Sequence, residues 1–214
     1  MKAGSARNSY KDLINRMDSC SVPPHLKDAI IRCVEFHTSP APGVLIGAYM
    51  VDYAMELLKA TSAQKLFAVC ETPKCLPDSL QEIAHCTTGN GRLRIVPIGK
   101  FAITMNCASD KEVADAVRVY IDCEKLKKFK TIDAWYANSP SYQKSVMKDR
   151  LQEEIFRAGR DILSYENVRI TITPKQRWNS VTCPCCGDPV PDYLLENDQC
   201  GGCGSMKYYD RVSG

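Results

Sequence analysis

Five of the chain's twelve cysteines fall between positions 183 and 203. Cys183-Pro184-Cys185-Cys186-Gly187 and Cys200-Gly201-Gly202-Cys203-Gly204 are two copies of one device, C-x-x-C followed by glycine. Two thiolates three positions apart on a tight turn grip one cation, and the glycine behind them permits the positive φ such a turn needs. Thirteen residues separate the two knuckles, which brings four sulfurs to one tetrahedral zinc. Four thiolates close the coordination shell, so Cys183, Cys186, Cys200 and Cys203 form a structural site. Iron is the rival metal, because ligand type alone does not separate the two. Cys185 lies inside the first knuckle and is not a ligand on this reading, since Cys186 already has the matching spacing.

A second group of chemically capable residues sits in the first half of the chain. His37 lies in the breaker-rich turn Phe36-His37-Thr38-Ser39-Pro40-Ala41-Pro42-Gly43. Cys75 lies in Glu71-Thr72-Pro73-Lys74-Cys75-Leu76-Pro77-Asp78, and Cys86 in His85-Cys86-Thr87-Thr88-Gly89-Asn90-Gly91. A regular helix between the two cysteines would hold its ends about 16 Å apart. They share a metal only if Cys75 belongs to a loop that folds back. Taken singly, each is more ordinarily a packed thiol than a ligand.

The elements that must position these residues follow from apolar periodicity. Tyr10, Leu13, Ile14 and Met17 recur at helical spacing, as do Leu26, Ile30, Cys33 and Val34, which predicts a helical hairpin over residues 8–36. Residues 44–58 have no polar face and read as a helix buried almost all round. Residues 66–70 have strand length and composition, and 77–83 are helical. Residues 93–96 and 101–105 read as strands joined by hairpin chemistry at Pro97-Ile98-Gly99-Lys100, with 117–121 extending the sheet. A long helix over 141–164 and a strand at 168–172 complete a main domain. Helices and strands do not alternate regularly, so the fold class is α+β: a small antiparallel sheet packed on helices. The domains expected are 1–177 and a zinc module over 178–214.

The pieces Phe36-His37, Pro42-Gly43, Glu71-Thr72, Cys75, Asp78 through Gln81, Cys86-Thr87, Gly89, Gly91, Leu93, Gly99-Lys100 and Ala102 fall in register. In that order and spacing the chain resembles the E-subunit family of formylmethanofuran dehydrogenase over residues 30–125. The tail from Cys183 is similar to the C-terminal zinc-finger module, of zinc-ribbon or treble-clef kind, that some members carry. The family turn usually reads His-Gly-His-x-Cys-Pro-Gly. Here Ser39 stands for the second histidine and Ala41 for the cysteine, which removes two transition-metal donors. The resemblance implies a pocket lined by His37, Cys75 and Cys86, and a second metal or metal-containing cofactor near His37. It also implies a molybdenum- or tungsten-pterin enzyme as partner. With the apolar helix, it implies a homodimer as well. No further cysteine set has iron–sulfur spacing, so redox chemistry would fall to the partner.

Composition narrows the remaining classes. The 214 residues are 44% hydrophobic and 25% charged, ordinary for a globular chain and unlike a disordered one. A formal charge of +3, lowered further by a zinc with four thiolates, argues against nucleic acid. The basic run Lys125, Lys127, Lys128 and Lys130 reads as a solvated face. Gly89-Asn90-Gly91 reads as a turn, because it lacks the full glycine pattern and lysine of a phosphate loop. No apolar run is long enough to span a bilayer, and the start of the chain shows no signal peptide, so a cytoplasmic location is expected. Two functions compete: an accessory protein holding a metal or metal-containing cofactor for a partner redox enzyme, and a cysteine-dependent enzyme or sulfur carrier using Cys75 or Cys86 with His37. They differ in the thiol, since a nucleophile needs a depressed pKa.

Overall fold

Prolines decide where the first helices begin. Pro24 stands in the opening turn of α2 (Pro24–His37), where its missing N–H costs nothing. Helix α1 (Ala3–Ser19) precedes it. Thr38, in the left-handed conformation at φ 66°, ends α2 and reverses the chain. Pro42 then opens α3 (Pro42–Leu57), in which every residue from Gly43 to Val51 is buried. A helix apolar on all faces has to sit inside, and α3 does. The structure is a computed structural model that describes residues 3–61, 63–172 and 176–210, without the side chains of residues 3–9. The extreme ends of both expected domains therefore lie outside the described residues.

The other elements of the first unit are β1 (Leu66–Cys70), α4 (Leu76–Ala84), β2 (Leu93–Ile95), β3 (Ala102–Cys107) and β4 (Val113–Ile121). Two short helices, α5 (Cys123–Leu126) and α6 (Lys130–Tyr136), then α7 (Lys144–Ala158) and β5 (Leu163–Thr171), follow. The five strands form one sheet in the order β2-β1-β3-β4-β5. Strand β1 alternates buried and half-buried residues, so Leu66, Ala68 and Cys70 face the core. Helix α3 packs on β3 and β4, while α4 packs on β1 and β2. Leu45, Met50, Leu66, Leu80, Ile103 and Met105 are fully buried between these layers. The fold is α+β, as the irregular order of elements requires.

Three sequence expectations are corrected here. Residues 93–95 and 102–107 do not form a hairpin. They flank β1 on opposite sides, β2 in parallel and β3 antiparallel. The segment between them is pinned to the end of β1 instead: Val96 N donates to Cys70 O, and Gly99 N to Glu71 O. The sheet is thus antiparallel apart from one parallel pair. The long helix stops at Ala158, because Gly159 at φ 50° breaks it. The last strand consequently starts at Leu163, and its nine residues pair along all of β4. Among the described residues, no helix is long and apolar enough to cross a membrane.

The chain divides into two compact units, residues 1–172 and 173–214. The second unit consists of two small hairpins. Strands β6 (Ser180–Thr182) and β7 (Pro189–Pro191) form the first, with Cys183 to Gly187 at its tip. A 3-10 turn, Asp192–Leu194, leads into β8 (Leu195–Glu196) and β9 (Gln199–Cys200), whose end opens the second knuckle.

Candidate functional site

Three helix ends converge where the chain reverses around α3. His37 is the last residue of α2, Gly43 lies in the first turn of α3, and Cys75 caps the start of α4. The imidazole Nδ1 of His37 lies 2.6 Å from Oδ2 of Asp78, which stands in the first turn of α4. A carboxylate there is favoured by the helix dipole, and it fixes the imidazole's orientation. Both side chains remain about a quarter exposed (22% and 28%), so the pair faces solvent rather than the core. Its other ring nitrogen, Nε2, has no hydrogen bond among the described residues.

Cys75 is half-buried and adopts φ 36°, a conformation L-residues rarely take. Its thiol is pushed upward in pKa, first by burial and then by the Asp78 carboxylate. What allows α3 to start so close is glycine. A Cβ on Gly43 would stand 2.9 Å from Cys75 Cβ and 3.4 Å from a ring carbon of Phe101. One turn later, a Cβ on Gly47 would lie 2.5 Å from Ser79 Oγ, which itself donates to Val44 O. The two glycines, four residues apart on α3, make the seam against α4.

The segment leading into Cys75 is held from the sheet. Arg118 on β4 clasps Glu71 with two hydrogen bonds, at 2.6 and 2.9 Å, and Glu71 is 8% exposed. Cys70 Sγ donates to Thr72 O at 3.1 Å, and Lys74 N donates to Thr72 Oγ1. The turn after His37 is held from α7, whose buried Gln152 donates to Pro40 O and accepts from Arg16. Phe101 and Trp135, edge to face at 6.4 Å, add an aromatic wall beside Gly43. Sequence reading missed Asp78 as the partner of His37, and missed Glu71, Arg118 and Gln152 as props. Only Asp78 left a local trace, one helical turn beyond Cys75.

Cys86 is elsewhere. It lies past the far end of α4, fully buried, and its thiol donates to Leu66 O at 3.2 Å. Burial pushes its pKa to about 11. The nine residues of α4 keep it on the order of 14 Å from Cys75. The structure therefore brings His37 and Cys75 together with Asp78, and leaves Cys86 in the core.

The second unit gathers Cys183, Cys186, Cys200 and Cys203 with all four sulfurs within 4.8 Å of one another. Cys186 Sγ and Cys200 Sγ are 3.9 Å apart. Sulfurs at the corners of a tetrahedron around zinc stand about 3.8 Å apart. The thiol of Cys183 is drawn down to about 6, chiefly by the backbone N–H of Cys200, which donates to it at 3.3 Å. Cys203 is pushed up to about 12 by the neighbouring sulfurs of Cys186 and Cys200. One thiolate is welcome and the next is resisted, so a bound cation is what lets all four ionise. Cys185 is exposed and outside the group. The four cysteines could hold a metal ion.

A family model described as "FmdE, Molybdenum formylmethanofuran dehydrogenase operon" matches residues 36–171. The chain belongs to the FmdE family. The FmdE match takes in His37, Cys75, Asp78 and Cys86 and ends before the cysteine-rich tail. A solved FmdE-like protein of the tungsten formylmethanofuran dehydrogenase, from Syntrophus aciditrophicus, is 34% identical. It superimposes with a TM-score of 0.69 over 86% of this chain and 95% of that one. A curated relative from Archaeoglobus fulgidus, described as a probable S-adenosyl-L-methionine-binding protein, is 33% identical over 106 residues. That segment is 47% of this chain and 28% of the relative, so the FmdE-family chain matches only about a quarter of that protein's length.

Proposed function

We propose that this FmdE-family protein is a metal-binding accessory protein that holds a metal or metal-containing cofactor for a partner redox enzyme. The observation that carries the reading is the His37–Asp78 pair at 2.6 Å beside the half-buried Cys75 thiol. A carboxylate on one imidazole nitrogen orients the other toward a metal and raises its donor strength. His37 Nε2 and Cys75 Sγ are the two protein donors, and the turn's Ser39 and Ala41 leave further positions to the cofactor's own ligands. The partner is a molybdenum or tungsten enzyme of the kind named in the family description. The four-cysteine site holds zinc in a structural role, and the protein works in the cytoplasm as a homodimer.

The cysteine-enzyme reading has less support. His37 is engaged by Asp78, and no hydrogen bond links it to Cys75, so the thiol lacks the base that would activate it. The test is metal analysis of protein made in its native host. One zinc retained in His37→Ala and Cys75→Ser, with a second metal lost in both, is the expected result. A metal content identical in the parent and both variants overturns the reading. Rapid alkylation of Cys75 in the metal-replete protein would favour the enzyme.

A further inference from the structure

The second unit exposes more apolar surface than its size warrants. Trp178, Tyr193, Leu194, Met206, Tyr208 and Tyr209 are between 48% and 89% exposed, half of the large apolar side chains that are exposed among the described residues. Leu194, Met206 and Val190 wall a groove of about 480 Å³, whose floor is glycine backbone at the second knuckle. Contiguous apolar surface of this kind marks interaction sites. Methionine and aromatic side chains are what such surfaces favour.

Charge decides what enters. Residues 176–210 contain two basic side chains, Arg177 and Lys207, against Asp188, Asp192, Glu196, Asp198 and Asp210. Lys207 is already taken by Asp210 at 2.6 Å. The other four acids have no ion-pair partner among the described residues, and Glu196 lines the groove itself. A metal dication on four thiolates adds a net double negative charge beside them. That field repels phosphate backbones and acidic surfaces, and it rewards cations at the rim.

We infer that this groove docks a segment of a partner protein through one apolar side chain flanked by lysine or arginine. The inference does not rest on the metal-holding reading of the first unit. The anchor fills the Leu194–Met206 cleft, and the flanking cations meet Glu196 and its neighbours.

The test uses the full-length, zinc-loaded chain and fluorescent synthetic peptides with a central leucine, phenylalanine or tryptophan. One set carries lysine and arginine around the anchor, a second carries aspartate and glutamate, and a third has the cations without the anchor. Anisotropy is expected to show the first set binding roughly tenfold or more tightly than either control. Raising the ionic strength from about 0.05 to about 0.3 M should weaken it further. Leu194→Ser and Glu196→Lys should each weaken that binding about tenfold with metal content unchanged. If Leu194→Ser loses metal, the charge reversal alone decides. Equal binding of the basic and acidic sets overturns the inference, as does no binding by any set. So does binding indifferent to Glu196→Lys, or sedimentation showing that Leu194→Ser splits a dimer, which would make a second copy the occupant.

Discussion

The cysteine knuckles of the tail and the His37 site gather their donors in opposite ways. In the tail each pair of thiols comes from a single turn, Cys183 with Cys186 and Cys200 with Cys203, and only the two turns need to meet. His37 and Asp78 are forty-one residues apart and meet because two glycines on α3 let α4 lie close. The first arrangement is local and needs a cation to hold it, because its thiolates repel. The second needs a hydrophobic core, and its polar members add little to stability. The two units should therefore fail independently, for different reasons.

The largest effect expected is loss of the tail's metal. Structural zinc contributes on the order of 10 kcal/mol to such modules. Cys186→Ser should release the metal and collapse the tail's amide spectrum while the first unit's melting transition stays in place. A variant that keeps its full metal content would place the ligands elsewhere.

Alkaline pH should act on the first unit instead. Burial lifts the thiols of Cys33, Cys70 and Cys86 from the ordinary 9.0 to about 12, 11 and 11. Below pH 9 both folded and unfolded chains keep these protons, and their contribution to stability is whole. As pH rises from 9 toward 11 the unfolded chain sheds protons that the folded chain retains, so stability falls. The loss is on the order of 1 kcal/mol per thiol at pH 10. Denaturant midpoints of the first unit measured from pH 8 to 10.5 check this, and a flat profile would contradict it.

Gly47→Ala probes the α3–α4 seam. Its new Cβ would press on Ser79 Oγ at 2.5 Å, and overpacking of this kind costs about 1–3 kcal/mol. Thermal melting should show a destabilised first unit, with faster alkylation of Cys75 and an undisturbed metal in the tail. Unchanged Cys75 reactivity would mean the seam does not position that thiol.

The smallest effect on stability should come from Asp78→Asn. The His37–Asp78 pair is partly exposed, so its loss costs roughly 0.2–1 kcal/mol. Affinity for the proposed second metal should nonetheless fall about 10–100-fold, as when a carboxylate behind a ligating histidine is removed. Competition with a chelator of known strength reads the affinity. A large drop in stability with no change in metal binding would make the pair structural.

The sequence by itself determined whatever depends on neighbours along the chain. The four metal-binding cysteines, the buried α3, the starts at Pro24 and Pro42 and the α+β class were legible, because spacing and apolar periodicity act within a few residues. The family resemblance was legible through motifs in register. Tertiary structure alone decided the rest. It chose Asp78 rather than a cysteine as the partner of His37, because α2 and α4 meet only across the glycine face of α3. It sent Cys86 into the core, because α4 is straight and its two ends cannot share a site. It placed β2 and β3 on either side of β1, because the backbone of the 96–101 segment finds its hydrogen-bond partners at Cys70 and Glu71 rather than in a tight turn. Hydrogen bonds and close approaches between distant residues are settled by packing, and packing leaves only a faint mark on the spacing of any one segment.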